Sequence, residues 1–162
     1  MKKNKLRDSL TSYLCFYTIL GSIVTMIMPD SCFTKYIEVN IHTMFLHCGS
    51  FVVSMFLIMN NEIKLNYKNF LSGFKVLLVF IALALSLDLI MYNTGIIGDE
   101  TFNMFFISPY FISTLPIYDI VQKSAPYLVY LLFYIVTLFI GGNITYFVVK
   151  DYQKLIYKFK TK

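Results

Sequence analysis

The chain has 162 residues, 57% hydrophobic and only 14% charged, against roughly 25% charged in a water-soluble domain. A soluble fold is thereby excluded. The net charge of +5 lies beside apolar runs, where basic residues set membrane orientation, so no nucleic-acid partner is expected.

Four apolar runs, at residues 10–28, 37–59, 70–92 and 125–149, reach the length of about 20 residues that crosses a bilayer. The first follows MKKNKLRDSL, a beginning that mimics a signal peptide. Its 19 residues exceed a usual signal core, and no A-x-A cleavage site follows. It is expected to stay as an uncleaved first span that stops at Met28-Pro29-Asp30. A short external loop over 29–36 leads to span two.

Span two carries the strongest pattern. Asn40, Thr43, His47, Ser50 and Ser54 recur at steps of three and four, which places them on one helix face. A polar stripe in lipid should turn inward. Helix packing through hydroxyl residues explains Asn, Thr and Ser alone. His47 goes further: about ten residues into the span, roughly 15 Å deep at 1.5 Å per residue, it is a candidate base, proton relay or ligand. His42 lies about 140° round the same helix and near its outer end.

Residues 60–69 form a cytoplasmic loop. Span three then runs outward and contains Asp88, the acidic residue well inside a span. An unpaired charge there is costly, so a partner is expected. His42, at a similar depth, is one candidate; Lys123, Thr43 and tyrosines are others. Residues 93–124 form a long external segment whose stretch from Phe102 to Ile117 is apolar but broken by Pro109 and Pro116, and it reads as a re-entrant or interfacial cap. Asp119 and Lys123 follow, and span four begins near Pro126. The tail KDYQKLIYKFKTK suits a short amphipathic helix on the membrane surface.

Of the 14 Lys and Arg residues, only Lys35 and Lys123 fall in the two loops assigned outside, leaving 12 on the other side. That asymmetry predicts a multi-pass protein of the cell membrane with both termini cytoplasmic. The basic flank would also attract anionic lipid headgroups. Cys15, Cys32 and Cys48 form no zinc or disulfide pattern. No phosphate loop, GxSxG or HExxH motif occurs, so no metal or other cofactor is expected. The expected fold class is all-α: a single transmembrane domain over 1–162, with four helices and the Pro-broken cap.

Taken in order, GSIVTMIMPD, FLHCGSFVVSMFLI, ALSLDLIMYNTG and FFISPYFISTLPIYD resemble the YwaF-type family of integral membrane proteins, related to the transmembrane protein 164 acyltransferase. The similar pieces cover about residues 17–145. The resemblance implies a polar intramembrane site and acyl transfer between lipids, with His47 at the position of the family's buried histidine. Asp88 would stand where the family has Asn. The family's further spans, with a Cys/His-bearing motif upstream, are expected to be lacking here.

The candidate site is therefore His47 as general base, with Asn40, Thr43, His42, Ser50 and Asp88 as binding residues. The functional classes are a lipid acyltransferase-like enzyme or its relic, a non-catalytic accessory, small transporter or immunity-type protein, and a packing scaffold. Membrane lipids are the expected partners, with a homo-oligomer or a membrane partner subunit as the second kind.

Overall fold

The computed structural model describes residues 4–28, 36–96, 98 and 101–160, with side chains described as far as Leu155. Pro29, Asp30, Cys32 and most of the first loop lie outside the described residues, as do the side chains of the expected C-terminal amphipathic segment beyond Leu155. The described residues are all-helical apart from connections: α1 (Lys5–Tyr13), a π-helical segment (Leu14–Thr18), α2 (Ile19–Ile27), α3 (Ile37–Met59), α4 (Tyr67–Thr94), a 3₁₀ turn (Met104–Phe106), α5 (Tyr118–Ser124) and α6 (Tyr127–Lys160).

Among the described residues, four stretches are long and apolar enough to cross a membrane: Lys5–Ile27, Ile37–Met59, Tyr67–Thr94 and Tyr127–Leu155. The second matches its expected limits. The first begins five residues early, because Asn4 caps α1 by accepting the Arg7 N–H at 2.8 Å. Capping satisfies an orphan helix donor, so the helix starts among charged residues that a hydropathy count skips. Asn66 caps α4 in the same way, through the Asn69 N–H at 2.8 Å. The fourth span begins after Pro126, whose carbonyl accepts the first helical N–H groups. Ala125 before it is extended, as a residue preceding proline should be. α3 ends at Asn60 and Asn61, with Asn61 at φ 54°. Asn tolerates that left-handed closure better than most residues.

The described residues group into two compact units, Met1–Leu77 with Phe139–Lys162, and Leu78–Leu138; α4 and α6 are continuous through both. In the first unit, Phe70 is fully buried and touches the rings of Phe16, Tyr17, Tyr67, Phe139 and Tyr146, with centroids 5.1–5.9 Å apart. Glycines let the helices meet. A Cβ on Gly73 would stand 2.8 Å from Tyr13 N and 2.9 Å from Ser12 C. A Cβ on Gly142 would meet the Tyr17 ring at 2.3 Å.

The π segment widens the first span where Cys15, Phe16 and Tyr17 are buried. Its Leu14 carbonyl receives the Ile19 N–H and lies 2.9 Å from the Ser54 hydroxyl of α3. Arg7 also pairs with Glu62, after α3, across a half-exposed surface. Such pairs contribute about 1 kcal/mol or less. Arg7→Gln should therefore lower thermal stability in detergent only slightly, and a loss of most of the protein's stability would show the pair to be worth far more.

In the second unit, the connection after α4 is packed rather than loose. Ile107, Ser108, Ser113 and Leu115 are buried. Its backbone follows no regular hydrogen-bond ladder, so side chains satisfy it. Gln122 Nε2 donates to the Ser108 and Phe111 carbonyls at 3.0 and 3.1 Å, and its Oε1 accepts the Ser113 N–H at 2.8 Å. Asn103 Oδ1 accepts the Ser108 N–H at 2.8 Å. The segment expected as a re-entrant or interfacial cap is thus non-helical except for the 3₁₀ turn and α5.

Candidate functional site

The inner part of the α3 polar stripe lies against the first span, through His47 and Ser54. Ser54 is fully buried, and Asn40, Thr43, His47 and Ser50 are half-buried. The two ends of the stripe differ. Ser54 lies against the Leu14 carbonyl and, at 2.7 Å, the Ser50 carbonyl of its own helix; this is packing. His47 instead meets a side chain: its Nδ1 lies 3.5 Å from the Thr25 hydroxyl of α2. Which group donates follows from the imidazole tautomer.

Thr25 shares a face of the first span with Thr18 and Ser22, a spacing that by itself reads as helix packing. Its pairing with His47 depends on how far α3 extends beyond α2. The depth count for His47 treats the ends of adjacent spans as level. Here His47 lies opposite the last turn of α2, and the first two turns of α3 run on past that end.

A shallow groove of about 390 Å³ runs along the neighbouring face of α3, lined by Leu14, His42, Phe45, Leu46, Gly49, Ser50 and Val53. Ser50 belongs to both groove and stripe. His42 is exposed and contributes to the groove rather than to the His47–Thr25 contact. A Cβ on Gly49 would touch nothing within 4 Å, so the groove floor is open there. Cys48 is a free, half-buried thiol beside His47 in sequence.

Asp88 belongs to the other unit and is 0% exposed. Its partner is not a side chain. Oδ1 accepts the Met104 backbone N–H at 2.7 Å, and Oδ2 has no hydrogen-bond partner among the described residues. Lys123, one expected partner, pairs with Asp119 at 3.2 Å instead. Met104 opens a turn in which Phe105 and Phe106 both have left-handed backbone, at φ 57° and 59°. The Tyr127 hydroxyl donates to the Ile107 carbonyl at 2.7 Å, and the Tyr130 hydroxyl to that of Phe106.

Four apolar spans, a polar stripe turned against a neighbouring helix and a buried acid define a multi-pass helical membrane protein with polar chemistry inside its spans. The model of the TMEM164 family matches residues 5–146, and the chain belongs to that family. No curated protein and no solved structure matches.

Proposed function

We propose that this protein acts on the acyl chains of membrane lipids through His47. The contact between His47 Nδ1 and the Thr25 hydroxyl, 3.5 Å long, carries the reading. A hydroxyl and an imidazole in hydrogen-bond reach are the parts of an activated nucleophile, and such contacts are often looser before substrate arrives. His47 would take the hydroxyl proton as the oxygen attacks an ester carbonyl. The imidazolium would then return that proton to the departing lipid oxygen, leaving an acyl-threonine; a second lipid hydroxyl, giving its proton to His47, then attacks that ester and takes the acyl group, and the Thr25 oxygen leaves with the proton. The α3 groove, with Ser50 at the edge of the polar stripe, gives an acyl chain a place beside this pair. The chain belongs to the TMEM164 family, and its resemblance to the transmembrane protein 164 acyltransferase supports the reading. The excess of Lys and Arg on one flank of the spans supports a cell-membrane protein with cytoplasmic termini.

The test compares the acyl composition of membrane lipids in cells that express the protein, lack it, or carry His47→Ala. Removal of a general base costs about 10²–10⁴-fold in rate, so His47→Ala should match the cells lacking the protein while remaining inserted. Lipid profiles that do not differ between expressing and lacking cells would sink the reading.

A second reading rests on a different observation. Most of α3 is exposed, with Phe45 83%, Val52 64% and Phe56 61% accessible. That surface suits a non-catalytic subunit that covers it with a second copy or a membrane partner. A stable oligomer together with unchanged lipids would favour this reading.

A further inference from the structure

The carboxyl of Asp88 lies in the second unit and takes no part in the lipid chemistry proposed for His47. One oxygen is bound by the Met104 N–H and the other is buried with no partner among the described residues. A carboxylate left charged and half-paired in an apolar interior is far more costly than a neutral carboxyl with one weak spot. A bound metal ion does not answer the need: no group of three or more His, Cys, Asp or Glu could hold one among the described residues. The carbonyls of Phe106 and Ile107, which could otherwise turn to a small cation, already accept tyrosine hydroxyls. A proton needs no cavity and no further ligand.

The surrounding groups agree. On α6, Tyr127 and Tyr130 stand nearest, and Tyr127 is within electrostatic reach of Asp88. On α5, Asp119 and Lys123 are paired with each other. The Met104–Phe106 turn has no titratable side chain; α4 within this unit adds Tyr92, which stacks on Tyr110 at 3.6 Å between centroids, and the Tyr118 hydroxyl of α5 bonds that of Thr137. The turn is itself strained. Phe105 and Phe106 are successive non-glycine residues in left-handed backbone, a conformation that surrounding contacts must hold; Asp88 binds the turn at its amide end and the tyrosines at its carbonyl end.

We propose that Asp88 is a proton-binding site that latches this turn: Oδ2 carries the proton, Oδ1 accepts the Met104 N–H, and the proton leaves to water only when the Met104–Ile107 turn opens. Proton release and turn opening are then one event.

Infrared spectroscopy of the full chain in lipid nanodiscs at neutral pH tests this, with ¹³C-aspartate labelling to single out aspartyl carboxyls. Wild type should show one neutral aspartic acid band, and Asp88→Asn should lack it. Absence of that band from wild type overturns the proposal, whether or not the variant folds. Amide exchange of Met104 separates a neutral latch from an ionic one. Asn keeps a neutral carbonyl acceptor, so Asp88→Asn should protect Met104 as wild type does, and Asp88→Ala should exchange about fivefold faster or more. If Asn loosens the turn as much as Ala, the charge holds it and the proposal fails.

Discussion

Gly73→Ala should destabilise the protein by about 3 kcal/mol, the upper part of the range for forcing atoms into a packed interior. The added methyl would meet Tyr13 N and Ser12 C, both within 2.9 Å. These are backbone atoms of α1, so no side chain can rotate away and one helix must move off the other. The neighbouring contacts predict a ranking. Gly142→Ala meets a ring at 2.3 Å and should cost less, because the Tyr17 ring can shift; Gly141→Ala meets only the tip of Leu20 at 2.6 Å and should cost least of the three. Gly49→Ala meets nothing within 4 Å. It should be neutral or stabilise by about 0.5–1 kcal/mol, as alanine does in a helix. Thermal unfolding of the four variants in one detergent checks the order. Gly73→Ala melting with wild type would show that α4 does not rest on α1 here.

Gln122→Ala is the second large effect. This side chain serves the Ser108 and Phe111 carbonyls and the Ser113 N–H. Phe111 keeps a bond from Asn103 Nδ2 at 3.3 Å, so two backbone groups lose a partner. Each buried group left unsatisfied costs about 1–3 kcal/mol, giving an expected loss of about 2–6 kcal/mol concentrated in residues 101–117. The loss should appear as faster amide exchange at Ser113 and earlier proteolysis within the connection, with the first unit protected as before. Gln122→Glu keeps the acceptor for Ser113 and loses the donor, so it should fall between Ala and wild type. Unchanged exchange in the Ala variant would mean that water replaces all three bonds.

These two positions show what the sequence could and could not tell. The spans were legible because a bilayer imposes length and apolarity, and the limits of α3 followed from polar residues at both ends. The all-α class and the stripe from Asn40 to Ser54 followed from periodicity. The π segment did not, because Leu-Cys-Phe-Tyr-Thr reads as ordinary helix; its widening depends on what packs beside it. Gly73 looked like any helical glycine until α1 was laid against it. Periodicity could mark Thr25 and His47 as polar faces, but pairing them needed the offset between α2 and α3. The partner of Asp88 was hidden for a different reason. A backbone N–H has no residue type, so a search for a countercharge among side chains pointed to His42 and Lys123 and passed over Met104. Gln122 escaped notice because its value lies in the irregular backbone it satisfies, and that backbone has no period to read.

In the proposed function, His47 and Thr25 form an acyl-handling pair within a TMEM164 family membrane protein. The most direct measurement uses purified protein in nanodiscs that contain a phospholipid with a labelled acyl chain and a lysophospholipid acceptor. Wild type should move label to the acceptor; His47→Ala and Thr25→Val should each lower transfer by about 10²-fold or more, with folding intact by thermal unfolding. Transfer that persists at the wild-type rate in His47→Ala, or no transfer by well-folded wild type, would contradict the claim.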